Sequence, residues 1–161
     1  MSNYNIDRTK GKVEDIQQNL EVKKGELKEL KANKEKILEA GMNIQASKID
    51  EKVQRQLMES INDSLKENAE KGEALSKEME GDFKDIENMK QETNESEKSN
   101  LEEKDRLERV KNFLEPFGLD KKIEEGIRIL EDNHEQLEDI KNSLISTEKE
   151  LNNVSNQLNT L

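Results

Sequence analysis

Residues 130–161 decide the fold, and they read LEDNHEQLEDIKNSLISTEKELNNVSNQLNTL. Leucine recurs at every seventh position of this stretch, and a partly polar second row follows three residues behind it. A seven-residue apolar repeat is typical of helices that pack side by side in coiled coils. The stretch therefore predicts a leucine-heptad helix over residues 121–161. Its seam consists of Leu130, Leu137, Leu144, Leu151 and Leu158.

A second apolar stripe lies near the start of the sequence. Its members are separated by three, four or seven residues, so they also fall on one seam of a helix. Gly41 follows the last of them, and glycine is the residue that most often ends a helix. We therefore predict a first helix over about residues 6–40. The stripe consists of Val13, Ile16, Leu20, Leu27, Leu30 and Ile37.

Between these two seams, apolar residues recur every three or four positions from Ile49 to Met89, except for one step of six between Ala69 and Leu75. This spacing predicts a second helix over about residues 47–90, started by Ser47. The connection before it is short, and short connections join antiparallel neighbours. Residues 1–90 are thus expected to form a helical hairpin.

Residues 91–100 contain no apolar side chain. Two interpretations stay open for them, a polar linker or a solvated stretch of helix. A second helical region is predicted over residues 101–161. It contains a turn at 115–120, because the ring of Pro116 prevents a helix from continuing.

The composition agrees with long helices and opposes a thick globular core. Charged residues make up 40% of the 161 residues, hydrophobic ones 30% and aromatic ones only 2%. The scarce apolar residues must therefore be concentrated into narrow seams. We predict an all-α fold, an elongated hairpin or bundle of two to four long helices with coiled-coil packing.

The same composition argues against several classes of function. The sequence has no cysteine and only one histidine, His134, so no metal site, cofactor site or catalytic residue is expected. A net charge of −11 opposes binding to nucleic acid. No apolar run approaches the length of a membrane span, and residues 1–12 lack the apolar segment of a conventional secretory signal. We expect a cytoplasmic protein that is not an enzyme and does not insert into membranes.

His134 lies on the flank of the leucine seam. A lone histidine on a helix is most often an ordinary surface or seam residue. The alternative is a packing position that responds to pH.

Residues 1–90 resemble, in layout, the small helical-hairpin proteins of the WXG family, which Esx-type (type VII) secretion exports without a conventional signal. The resemblance rests on the Met1-Ser2 start, two helices of hairpin length and a turn near Gly41. The turn has the family's glycine but not its tryptophan. Phe83-x-x-x-Glu87 is similar to the family's aromatic-x-x-x-acid export signal. The length is closer to the extended helical partners or amino-terminal targeting regions of LXG-type toxins.

Two hypotheses for the function follow. The first is a non-enzymatic protein–protein interaction module that presents its seams to a partner chain, as a partner or targeting region of a type VII-secreted toxin would. The resemblance implies export for such a protein. The alternative is a homo-oligomeric coiled-coil scaffold that associates through the helix of residues 121–161.

Overall fold

The computed structural model describes residues 4–161 of the chain. These residues form three long α-helices joined by two short connections, and they include no β-strand. The second connection contains a short 3-10 helix, Glu115–Phe117. The predicted all-α fold class is confirmed, with three long helices. The helices are α1 (Ile6–Ala46), α2 (Glu51–Leu114) and α3 (Asp120–Asn159).

The first helix does not end at Gly41, as the sequence suggested, but continues to Ala46. Gly41 is buried, and a Cβ atom at this position would lie 3.3 Å from Cγ2 of Ile61 on α2. The glycine therefore permits close packing of two helices rather than a stop. Asp50, not Ser47, caps α2, because its Oδ2 accepts hydrogen bonds from the backbone N–H groups of Lys52 (3.2 Å) and Val53 (3.4 Å).

Residues 91–100 lie inside α2, so the linker interpretation is wrong. The stretch is not fully solvated either. Thr93 is buried and its Oγ1 lies 3.1 Å from the hydroxyl oxygen of Tyr4, while Asn100 Nδ2 donates to the carbonyl oxygen of Leu130 at 2.8 Å. The helix thus packs here through polar side chains that find hydrogen-bond partners, which an apolar periodicity cannot reveal.

The turn at Pro116 has the glycine it requires. Gly118 takes a positive φ of 70°, and its N–H donates to the carbonyl oxygen of Glu115 at 3.1 Å. A side chain at this position would strain the backbone.

The chain divides into two compact units, and the division cuts across all three helices. The predicted division at residues 91–100 does not coincide with it, because these residues lie inside the first unit. The first unit comprises the chain up to Ile16 together with Lys84–Glu148, and the second comprises Gln17–Phe83 together with Lys149–Leu161.

Each unit takes one segment from every helix and buries its own core. The apolar core of the first unit consists of Val13, Ile16, Ile86, Met89, Leu130, Leu137, Ile140 and Leu144. The apolar core of the second consists of Leu20, Leu27, Leu75, Met79, Leu151, Val154 and Leu158.

Candidate interaction surface

The predicted seams are packed within the chain itself. Of the eleven seam residues, nine are buried, and Leu30 and Ile37 are half-buried. The expectation that these seams are presented to a partner is therefore corrected. The reason is that three helices, not two, contribute to each unit, so each narrow seam is covered by the two others. A surface for a partner must be sought elsewhere.

Lysines of α1 mark the side of that helix that faces α3 in the second unit. Lys24 Nζ lies 3.0 Å from Glu150 Oε2, and Lys31 Nζ donates to Oε1 of Gln157. The hydrogen bond to Glu150, and then that to Glu21, raises the pKa of Lys24 above its ordinary value of 10.5. These two lysines are seven residues apart, so they occupy the same heptad position.

The end of α3 can be located against both other helices. Lys34 Nζ donates to the carbonyl oxygens of Thr160 (3.4 Å) and Leu161 (3.1 Å). On α2, a Cβ atom at Gly72 would lie 3.0 Å from Cδ1 of Leu161 and 4.0 Å from Cδ2 of Leu158. Lys34 on α1 and Gly72 on α2 therefore lie beside residues 158–161.

Beyond the level of Lys34 and Gly72, the α3-facing sides of α1 and α2 carry further apolar side chains. Leu38 comes seven residues after Lys31, and Met42 follows one turn later, so both extend the α3-facing side of α1. Their exposed fractions are 45% and 65%. On α2, Leu65 and Met58 come seven and fourteen residues before Gly72, and both are half-buried. We name Leu38, Met42, Met58 and Leu65 the open face.

The open face is apolar. Its four side chains are apolar and carry no titratable group. Two of them are methionines, whose flexible thioether side chains adapt to the shape of a partner. Sequence reasoning missed Leu38 and Met42 as a surface.

The proposed export residues lie on α2. Phe83 is half-buried and Glu87 is exposed. Within residues 4–161, no helix combines the length and the apolar character required to cross a membrane.

A charged cluster lies between α2 and α3 in the first unit. Lys141 Nζ is 3.0 Å from Glu97 Oε2. The hydrogen bond from Lys141 is the main cause that holds the pKa of Glu97 below its ordinary value of 4.5, and the same contact raises the pKa of Lys141. The ionised form of Glu97 is therefore favoured in the folded chain.

This contact predicts a pH dependence of stability. Since folding lowers the pKa of Glu97, its contribution is fully present above 4.5 and is lost as the pH falls through the lower, folded-state value. Glu97→Gln should therefore lower the free energy of unfolding at pH 7. The difference in this free energy between the variant and the unchanged chain should become smaller toward pH 3. Urea denaturation at several pH values measures this difference. Glu102→Gln, at an exposed acid on the same helix, should show little difference at any pH. A pH-independent effect of Glu97→Gln would contradict the assignment.

Comparison with known proteins adds no family to this description. No protein-family model, no curated protein and no solved structure matches the chain.

Proposed function

We propose that this protein is a non-enzymatic helical interaction module, and that its open face binds an amphipathic helix of a partner protein. The observation that carries the proposal is that two large apolar side chains, Leu38 and Met42, are exposed on the α3-facing side of α1. Large apolar side chains that are contiguous and exposed often mark a binding surface.

A helix is the partner that this surface fits. Over residues 149–161, α1 and α2 already hold a third helix through Leu151, Val154 and Leu158, which are buried. The open face continues the same two helices, so a partner helix with the same apolar spacing would extend the packing. The stretch of α1 from residue 35 to residue 46 is about 18 Å long, which corresponds to about three turns of a partner helix.

The proposed setting is Esx-type (type VII) secretion, with the chain as the partner or targeting region of an exported toxin. The support for this setting is the resemblance of residues 1–90 to the WXG family and the pair Phe83 and Glu87. An exported partner complex would carry the signal on this chain and the toxin segment on the open face.

Site-specific photo-crosslinking in the native host tests the interaction. A benzoylphenylalanine residue at Met42 should give one discrete adduct with another protein. The same residue at Val22 should give none, because Val22 is comparably exposed (61%) on α1 but lies outside the open face. With that partner purified, Leu38→Glu should weaken binding at least about tenfold, and Val22→Glu should not.

Three outcomes separate the alternatives. Equal adducts from both positions, or none from Met42, would contradict the interaction proposal. An adduct between two copies of this chain would favour the homo-oligomeric scaffold instead. Light scattering of the purified chain would then give a defined oligomer, whereas a module for a different protein gives a monomer.

Export is tested separately. Replacing Phe83 and Glu87 with alanine should abolish secretion from the native host, while Glu80→Ala, at an exposed acid on the same helix, should leave secretion unchanged. If the double variant were exported as efficiently as the unchanged chain, the secretion setting would be contradicted. The proposal that the open face binds a partner helix would not be affected by this result.

A further inference from the structure

Three metal-ligating side chains meet in the first unit, away from the open face. His134 and Glu138 are four residues apart and therefore project from the same side of α3. Glu97 reaches them from α2. One nitrogen or oxygen atom of each side chain lies within 4.8 Å of the other two, and His134 Nδ1 is 3.9 Å from Glu97 Oε1.

The histidine nitrogen distinguishes this cluster from an ordinary group of surface acids. The side chain of His134 is 42% exposed, but its Nδ1 atom is buried and no described group of the protein forms a hydrogen bond with it. Buried polar atoms are nearly always satisfied, so an unsatisfied one requires a physical reason. Nδ1 lies 3.9 Å from Glu97 Oε1, too far for a hydrogen bond, and an imidazole nitrogen and a carboxylate oxygen are both ligands of zinc.

The two carboxylates give an electrostatic reason. A carboxylate oxygen of Glu97 and one of Glu138 lie within 4.8 Å of each other. Two ionised carboxylates at such a distance repel unless a proton or a cation lies between them. Their position is thus one in which positive charge is favoured.

Lys141 supplies one positive charge to these carboxylates, but through the other oxygen of Glu97. Its Nζ is 3.0 Å from Oε2, whereas Oε1 is the oxygen directed at His134. Ligating carboxylates are commonly held by a hydrogen bond to their second oxygen. Lys141 can therefore orient Glu97 while Oε1 stays available.

We propose that Glu97, His134 and Glu138 bind a divalent transition-metal ion, with Zn²⁺ as the best match, and that water completes the coordination. One imidazole nitrogen and two carboxylate oxygens suit Zn²⁺ and disfavour Ca²⁺ and Mg²⁺, which prefer oxygen ligands alone. Zinc lies about 2.0–2.1 Å from such ligands, so the three atoms must close by about 1 Å through side-chain rotation. The ion would join α2 to α3 within the first unit.

Titration of the full chain with Zn²⁺ tests the site. Because the chain has one histidine and no cysteine, every imidazole signal in an NMR spectrum comes from His134. We expect these signals to shift and saturate at one equivalent of Zn²⁺, with matching stoichiometry by calorimetry. Shifts that do not saturate, or imidazole signals that stay fixed, would overturn the proposal and leave a plain Glu97–Lys141 ion pair.

Matched variants exclude a general attraction of the acidic surface for cations. Glu138→Gln and His134→Ala should each weaken zinc binding by about tenfold or more. Glu135→Gln removes the same charge from the exposed residue beside His134. This variant should bind Zn²⁺ as tightly as the unchanged chain does. Equal weakening by Glu138→Gln and Glu135→Gln, or equal binding of Ca²⁺ and Zn²⁺, would overturn the site.

Discussion

Leu144→Lys is expected to abolish cooperative folding, whereas Ile145→Lys, one residue further along α3, should leave the chain folded. Leu144 is fully buried and Ile145 is 57% exposed. Truncation of a buried leucine to alanine costs about 2–5 kcal/mol. A buried ammonium without a partner costs more, and the whole free energy of unfolding of a domain is only about 5–15 kcal/mol.

Circular dichroism during thermal denaturation measures both variants. Ile145→Lys should change the free energy of unfolding by no more than about 0.5 kcal/mol, as is usual for exposed positions. Leu144→Ala, a milder change at the same buried position, should keep a cooperative transition at a lower temperature. If Leu144→Lys melted like Ile145→Lys, the packing described for the first unit would be wrong.

Lys98→Pro has the second-largest expected effect, because it tests the continuity of α2 through residues 91–100. Lys98 is exposed, so its side chain contributes little. Proline in a helix interior removes a backbone hydrogen bond and clashes with the preceding turn, which costs about 3 kcal/mol or more. The kink would also disturb Asn100, whose side chain bonds to the carbonyl oxygen of Leu130.

Lys98→Ala is the matched control, since it removes the same side chain and keeps the helix. Its free energy of unfolding should stay within about 0.5 kcal/mol of the unchanged chain. A flexible linker would tolerate both substitutions equally. Equal denaturation midpoints for the two variants would therefore contradict an unbroken α2.

The leucine heptad from Leu130 to Leu158 predicted the third helix because its period is local and regular. The sequence likewise predicted the apolar seam of α1 and the turn that contains Pro116 and Gly118. These features depend on neighbours within one or two turns. Local periodicity therefore identified the buried apolar side chains of α1 and α3, but on α2 it also included exposed residues such as Ile49 and Val53.

The remaining features depend on contacts between distant parts of the chain. Gly41 was interpreted as a stop because the sequence does not show that Ile61 packs against it. Residues 91–100, which include Thr93 and Asn100, were interpreted as a polar linker or a solvated helix because buried polar residues leave no apolar pattern. The number of helices that share a core, and hence the covering of each seam, is likewise a tertiary property.

The candidate sites follow the same rule. The open face combines side chains of α1 and α2, and the register that brings them together is specified by no single helix. The proposed metal ligands combine Glu97 with His134 from another helix, whereas the sequence alone indicated an ordinary surface or seam histidine, or a pH-responsive packing position, and no metal.

The central claim is that the helices of one chain cover one another's seams, and zero-length cross-linking tests it most directly. A carbodiimide joins a lysine to a carboxylate only when the two are in contact. Lys24 with Glu150 (3.0 Å) connects α1 to α3, and Lys90 with Glu148 (2.6 Å) connects α2 to α3. Equal amounts of unlabelled and ¹⁵N-labelled chain are mixed, unfolded, refolded together and cross-linked. The measured quantity is the isotope composition of the cross-linked peptides.

Contacts within one chain join peptides of the same isotope. We therefore predict that both cross-links contain only fully unlabelled or fully labelled peptide pairs. Pairs that combine one labelled and one unlabelled peptide, at about half of the total, would show that the seams are completed by a second chain and would contradict this account.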